Sequence, residues 1–297
     1  MSEKKAAFVA VIGRPSVGKS TLLNRLCGEK VAIVSAVPQT TRNAIRGVVN
    51  RKQGQLVFVD TPGRHDSERK LNKRLIGVSD RAMDEAEIIL YVMDATRPFG
   101  AEEEAIAIRI APFSRQTVVE INKIDSPDAD YAKCREFLQS RLPLLDEKRC
   151  FQISAKKKEG LEPLLSAIFE MASVGDPFYP EEYYTDQELT FRIAEIIREK
   201  AINRLYEELP HCLYVEVADA ELRDDQTLWV RAFIITERES QKGMIVGKGG
   251  EMIKSIRKAA LKDLKSIFDW KVELDLRVKS SSDWRHNDKI LKRIIDS

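Results

Sequence analysis

The stretch GRPSVGKS, Gly13 to Ser20, decides the fold of the first half of this chain. It fits G-x-x-x-x-G-K-[ST], in which glycines let the backbone wrap closely round phosphate groups. The apolar run AAFVAVIG precedes it and reads as a buried strand, and a helix opens near Lys19. Strand, loop and helix in that order aim successive N–H groups and a helix N-terminus at one anion. Gly13, Arg14, Pro15, Ser16, Val17, Gly18, Lys19, Ser20 and Thr21 are therefore expected to line a nucleotide's phosphates. Lys19 would reach the β- and γ-phosphates, and the Ser20 hydroxyl would bind Mg²⁺. The loop alone leaves open whether the base is adenine or guanine.

Three stretches further along narrow that choice. FVDTPG ends a strand-like run and puts Asp60 near the metal, through a water, with Thr61, Pro62 and Gly63 beside the phosphates. The Gly63 amide is expected at the γ-phosphate, so Lys19 and Gly63 are candidates for catalytic contacts. INKID ends another run with Asn122, Lys123 and Asp125. A carboxylate at Asp125 can accept from both the ring N–H and the exocyclic amine of guanine, and adenine offers no such donor pair. Charge-assisted hydrogen bonds contribute about 1.5–3 kcal/mol each, so two discriminate strongly. ISAK adds Ser154, Ala155 and Lys156, with a backbone contact to the guanine oxygen. Four motifs in order, each at a strand's carboxyl end, exclude an accidental turn. Asp125 also argues against a kinase or ATPase, which would prefer adenine.

The surrounding 297 residues carry 49 Lys/Arg, 47 Asp/Glu and 43% hydrophobic residues, a soluble globular composition. That length suggests two domains. No apolar run nears the ~20 residues of a membrane-spanning helix. The N-terminus lacks the apolar core and cleavage site of a signal peptide, so a cytoplasmic protein is expected. Four scattered cysteines and three scattered histidines form no metal-binding pattern. Runs rich in β-branched residues alternate with helical segments up to residue 175. They predict an α/β domain over 1–175, a mostly parallel six-stranded sheet covered by helices on both faces, and the guanine-reading motifs make it the expected GTP-binding G domain. VGDPFYPEEYYTDQ has little periodicity and marks a connector, taken as 176–189, whose aromatics should pack against a domain. Residues 190–297 read as helix–strand–strand–helix–helix–strand, a smaller α+β domain ending in a basic tail. Residues 242–297 hold 14 Lys/Arg against 8 Asp/Glu, whereas 190–241 hold 7 against 11. That asymmetry points to a polyanion at one end, or to an ordinary solvated face.

Within that domain, GMIVGKGGEMIK contains a second glycine–lysine loop, Gly247-Lys248-Gly249-Gly250. No Ser or Thr follows its lysine, and no base-reading motif serves it. It fits the GXXG loop of a KH domain, which clamps the backbone of about four nucleotides. Lys242, Lys254, Arg257 and Lys258 flank it as phosphate contacts. Ile245 and Val246, with Ile253, form either the apolar side of a nucleic-acid groove or part of the core. Trp284 and Arg285 either extend the RNA surface or, for Trp284, pack inside.

Taken together, these motifs resemble the Era family of translation-factor-related GTPases over essentially the whole chain. PQTTRN lies where that family senses the γ-phosphate, which makes Thr41, or else Thr40, a Mg²⁺ ligand in the GTP state. YPEEYYTD, EIIREK, ELP and ESQKGMIVGKGG follow the family in composition and order. The resemblance implies a GTP/GDP switch that binds the 3′ end of 16S ribosomal RNA through a type II KH domain during assembly of the small (30S) ribosomal subunit. It further implies a monomer, with peripheral association at the inner face of the cell membrane. The alternative is an RNA-binding assembly factor that uses GTP as a structural ligand. Two residues depart from the family pattern. Arg64 follows the DxxG motif, where relatives carry an apolar residue, and is either a phosphate-stabilising arginine or a solvated cation. Ser16 stands where many relatives have asparagine, which puts potassium-stimulated hydrolysis in doubt. No general base stands out, so turnover is expected near the unstimulated ~10⁻⁴ s⁻¹ of a switch.

Overall fold

The computed structural model describes residues 3–38, 40–63, 70–282 and 284–295. They fall into two units, Met1–Ala32 with Pro38–Asp186, and Ile33–Val37 with Gln187–Ser297. In chain order the first unit contains β1 Lys5–Ile12, α1 Lys19–Cys27, β2 Ile45–Arg51, β3 Gly54–Asp60, α2 Lys70–Glu85 and β4 Ile88–Asp94. After these come α3 Ala101–Ile110, β5 Thr117–Asn122, α4 Tyr131–Arg141, β6 Cys150–Gln152, α5 Leu161–Met171 and β7 Ser173–Val174.

The main sheet runs β2-β3-β1-β4-β5-β6, parallel except for β2, which forms a hairpin with β3. Every residue of β3 and of β4 is buried, as expected of strands covered on both faces. The expected six strands become seven, because β7 pairs antiparallel with the first residues of β1. Two exposed residues carry no alternation that sequence reasoning could read. β1 sits between β3 and β4, so the chain turns to opposite sides of it, and the crevice beyond its carboxyl end is where such sheets bind ligands. Gly13–Gly18 occupies that crevice. The aromatic connector also joins this unit. Phe178 packs on Phe8 at 4.4 Å between ring centroids, the Val48 N–H donates to the Tyr184 carbonyl, and Arg46 pairs with Asp186 at 3.0 Å.

The second unit contains α6 Leu189–Ile202, β8 Leu213–Leu222, β9 Thr227–Thr236, α7 Glu239–Val246, α8 Glu251–Ile267, β10 Lys271–Ser280 and α9 Asp288–Ile295. Its sheet is β10-β9-β8, with β9 antiparallel to β8 and parallel to β10. A parallel pair needs a crossover, and α7 and α8 supply it. Ile193, Ile196 and Ile197 of α6, Ile256, Ala260 and Leu264 of α8, and Val230, Ala232 and Ile234 of β9 share one core. Each of the buried Ile, Leu and Val side chains contributes about 1.5–3 kcal/mol relative to exposure. Ile33 belongs to the same core, the Val34 N–H donates to Glu199 Oε1 at 2.9 Å, and Ser35 Oγ donates to Asn203 Oδ1 at 2.6 Å.

Two expectations need correction here, and one open alternative is decided. The basic tail contains a helix, α9. Ile245 is wholly buried in the core and unavailable to RNA. Trp284 takes its packing alternative: it is fully buried, stands edge-on to Tyr214 and donates from Nε1 to the Cys212 carbonyl at 3.3 Å.

Candidate functional site

The loop after β1 is organised by its carbonyl groups. Lys19 Nζ donates to the carbonyls of Gly13 and Arg14, both at 2.9 Å. Arg97 donates to that of Pro15 at 3.3 Å, Lys123 Nζ to that of Ser16 at 3.0 Å, and Asn122 Nδ2 to that of Val17 at 2.9 Å. The Gly18 carbonyl accepts the Leu22 N–H inside α1. Each carbonyl from Gly13 to Gly18 is thus turned toward a protein donor, and the N–H groups are left for an anion. Ser16 adopts φ 63°, a left-handed conformation uncommon for serine and typical of such nests. Gly18 has φ 114°, and a Cβ there would lie 2.3 Å from Asn122 Nδ2, so no side chain fits. Burial lowers the Lys19 ammonium to about 8, against the pull of Asp60 and Glu103.

Three side chains bring their oxygens together where α1 begins. Ser20 Oγ lies 2.6 Å from Asp60 Oδ2 and 3.1 Å from Thr41 Oγ1, and Thr41 Oγ1 lies 3.5 Å from Asp60 Oδ2. Asp60 Oδ1 is buried and lacks a hydrogen-bond partner among the described residues. Burial pushes the Asp60 carboxyl upward, opposed by Lys19, Ser20 and Thr41. Hard oxygens with an orphaned carboxylate oxygen fit Mg²⁺. Thr61 Oγ1 donates to the Val11 carbonyl, and Gly63 lies against Pro15. Arg64 lies outside the described residues.

At the base end, Ser154 Oγ donates to Asp125 Oδ1 at 2.7 Å and holds that carboxyl below the usual range. The Ala155 N–H donates to Asn122 Oδ1, and Arg25 of α1 donates to the Ala155 carbonyl at 3.2 Å. Lys156 is exposed beside them. Lys123 also pairs with the buried Asp94 at 2.5 Å. Asp94, Arg25, Arg97 and Glu103 were missed by the sequence reading. Asp94 did leave a signal, because it ends a strand as Asp60 and Asn122 do.

The second glycine loop lies between α7 and α8. Gly247, Gly249 and Gly250 have φ 73°, 60° and 77°, and a Cβ on Gly247 would come within 2.8 Å of Met252 Cβ. Lys248, Lys254 and Lys258 are exposed around it, and Lys254 Nζ reaches the Gly249 carbonyl at 3.4 Å. Lys242 pairs with Glu239 at 2.7 Å, and Arg257 Nε donates to the Leu274 carbonyl on β10 at 2.6 Å. Lys242, Lys254 and Arg257 thus each already have a protein partner. Val246 is half-buried, while Met244, not anticipated, is 56% exposed.

Residues 8–123 match the family described as 50S ribosome-binding GTPase, and residues 208–285 match the KH domain family. The chain is 49% identical to GTPase Era of Treponema denticola over 290 residues, covering 97% of this chain and 99% of that protein. It is 44% identical to GTPase Era of Borreliella burgdorferi, covering 98% and 100%. Among solved structures, an Era variant of Aquifex aeolicus bound to GDP·AlF4⁻ is 34% identical, with 98% of each chain covered and a TM-score of 0.92. Era in complex with MgGDPNP and nucleotides 1506–1542 of 16S ribosomal RNA is 35% identical at the same coverage and TM-score.

Proposed function

The chain belongs to the Era family of GTPases, and from that premise we propose that it is a slow GTP-hydrolysing switch for ribosomal RNA. GTP or GDP lies along Gly13–Thr21, with guanine read by Asp125 and flanked by Asn122, Lys123 and Ser154–Lys156. Ser20, Thr41 and Asp60 hold Mg²⁺, which supplies charge neutralisation at the phosphates. Lys19, Thr41 and the Gly63 amide contact the γ-phosphate. The observation that carries this reading is that all six loop carbonyls are taken up by protein donors, which leaves the N–H groups for an anion, and that two of them are held by the same Asn122–Lys123 pair that precedes the base reader.

Gly247–Gly250, with Lys248, Lys254 and Lys258, holds the single-stranded 3′ end of 16S ribosomal RNA, and the protein acts in maturation of the small ribosomal subunit. The solved relative bound to that RNA segment supports this partner. The protein works as a cytoplasmic monomer. Among the described residues no helix is long and apolar enough to cross a membrane. Any membrane contact is peripheral and rests on the basic residues beyond 242.

Phosphate release from GTP, measured with and without the 16S 3′ segment, tests the reading. The expected intrinsic rate lies near ~10⁻⁴ s⁻¹ and responds to RNA. Tight GTP binding with no release under either condition would leave an RNA-binding factor that uses GTP as a structural ligand.

A further inference from the structure

Arg14, inside the phosphate loop, does not point its side chain toward the phosphates. It is buried, and its Nε lies 2.5 Å from Glu103 Oε2 while its Nη1 donates to the Pro98 carbonyl at 3.2 Å. Glu103 sits in the first turn of α3 with no exposed surface, and it accepts the hydroxyl of Tyr91 from β4. Tyr91 is fully buried in turn. One residue further along the loop, the Pro15 carbonyl accepts from Arg97, which belongs to the same β4–α3 connection as Pro98 and also pairs with Asp94 at 3.3 Å.

The loop is therefore braced twice. Asn122 and Lys123 hold its trailing half at Ser16 and Val17. The β4–α3 connection holds its leading half at Arg14 and Pro15. The Arg14 carbonyl, at the centre of that leading half, is also one of the two on which Lys19 Nζ rests. A shift of Arg14 moves the ammonium that the phosphates must meet.

Resting on the GTPase reading above, we propose that Glu103, oriented by Tyr91, is a positioning residue for nucleotide binding. It holds Arg14 so that the leading half of the phosphate loop and Lys19 are preformed before the nucleotide arrives. Preformed cradles lower the cost of ordering on binding. A buried ion pair that only packed would leave affinity untouched when neutralised.

The test compares GDP and GTP affinity for the full chain and its Glu103→Gln, Arg14→Met, Tyr91→Phe and Arg14→Met/Glu103→Gln forms. Glutamine keeps the volume and the acceptor for Tyr91 and removes the charge. Glu103→Gln and Arg14→Met should each weaken GDP and GTP alike by about tenfold or more, a loss seen in KM more than in kcat. The double form should lose no more than Arg14→Met alone, because the two act as one unit. Tyr91→Phe should give a smaller loss of the same kind. If Glu103→Gln were to unfold, leaving Arg14 buried without its charge partner, Tyr91→Phe and the double form, in which no lone charge is buried, keep the comparison decisive. Affinities within twofold of the unaltered chain, or losses that add, overturn the proposal even where thermal stability falls. Failure of the unaltered chain to bind GDP would instead sink the GTPase reading.

Discussion

Glu120 breaks the pattern of the strand that holds it. It lies within β5, has no exposed surface, and neither carboxylate oxygen has a hydrogen-bond partner among the described residues. Burial, with Asp94 adding repulsion, pushes its carboxyl well above the usual range. The folded chain therefore holds Glu120 protonated at pH values where the unfolded chain has released that proton. A raised carboxyl stabilises the fold fully only below the unfolded value of about 4.3, and that contribution is lost as pH rises toward the folded value. Glu120→Met should stabilise the chain by about 1–3 kcal/mol, the usual cost of an unsatisfied buried polar group, and by more at neutral pH, where the fold must also hold the proton. The gain should shrink as pH falls toward 4.5. Urea unfolding of both forms at several pH values measures it, and a gain independent of pH would show that the carboxyl does not titrate as described. Asp125 differs because Ser154 donates to it and lowers its carboxyl. Sequence spacing displayed Asp125 as a base reader, since its chemistry is local to INKID. It did not display Glu103 as the partner of Arg14, because that pairing joins residues 89 positions apart and depends on how α3 lies along the sheet.

At the scale of elements, the GKGG loop works through the two helices it joins. Gly247 has φ 73° and ψ 171°, an essentially glycine-only region that costs other residues on the order of 1–3 kcal/mol, and its missing Cβ clears the first turn of α8. Gly247→Asp should abolish measurable RNA binding, by displacing the loop and by setting a carboxylate against phosphate. GTP affinity should stay within about twofold, since the nucleotide site lies in the other unit. Filter binding with the 16S 3′ segment and GDP titration separate these effects, and retained RNA affinity would remove the loop from the interface. Most elements were legible because their apolar periods are long: alternation in β8 and β9, and uninterrupted apolar runs in β3 and β4. What failed was short or ambiguous. β7 is two residues long, and its pairing with β1 leaves no mark in SV. α9, DKILKRII, is only eight residues long, and its two apolar pairs are too few to mark a helix at the end of a basic segment. In α7 the adjacent Met244 and Ile245 look equivalent in sequence, yet Ile245 faces the core and Met244 faces out, because only the helix rotation distinguishes them.

For the whole molecule, the division into a nucleotide unit and an RNA unit follows from motifs, but the path of the chain between them does not. Residues 31–37, VAIVSAV, form an apolar stretch without helical or strand period. The chain enters the second unit at Ile33 and leaves it at Val37, four residues before Thr41. Within that unit Glu199 accepts the Val34 N–H, and Asn203 accepts from Ser35 and donates to the Val34 carbonyl. Lys200 pairs with both Glu199 at 2.7 Å and Asp263 at 2.5 Å, which ties α6 to α8, the helix that follows GKGG. On the proposed function, a γ-phosphate that orders Thr41 would act on a segment whose neighbouring residues, 33–37, are bonded to the RNA unit. Coupling of this kind is reciprocal: RNA must change GTP affinity by the factor by which GTP changes RNA affinity, typically 5–150-fold. Asn203→Ala removes two of the bonds to the segment without touching either ligand. The affinity for a non-hydrolysable GTP analogue, measured with and without the 16S 3′ segment, should show the coupling factor falling toward one in that form. Each ligand's separate affinity should change little. A coupling factor equal to that of the unaltered chain would mean that nucleotide state reaches the RNA loop by a route other than residues 33–37.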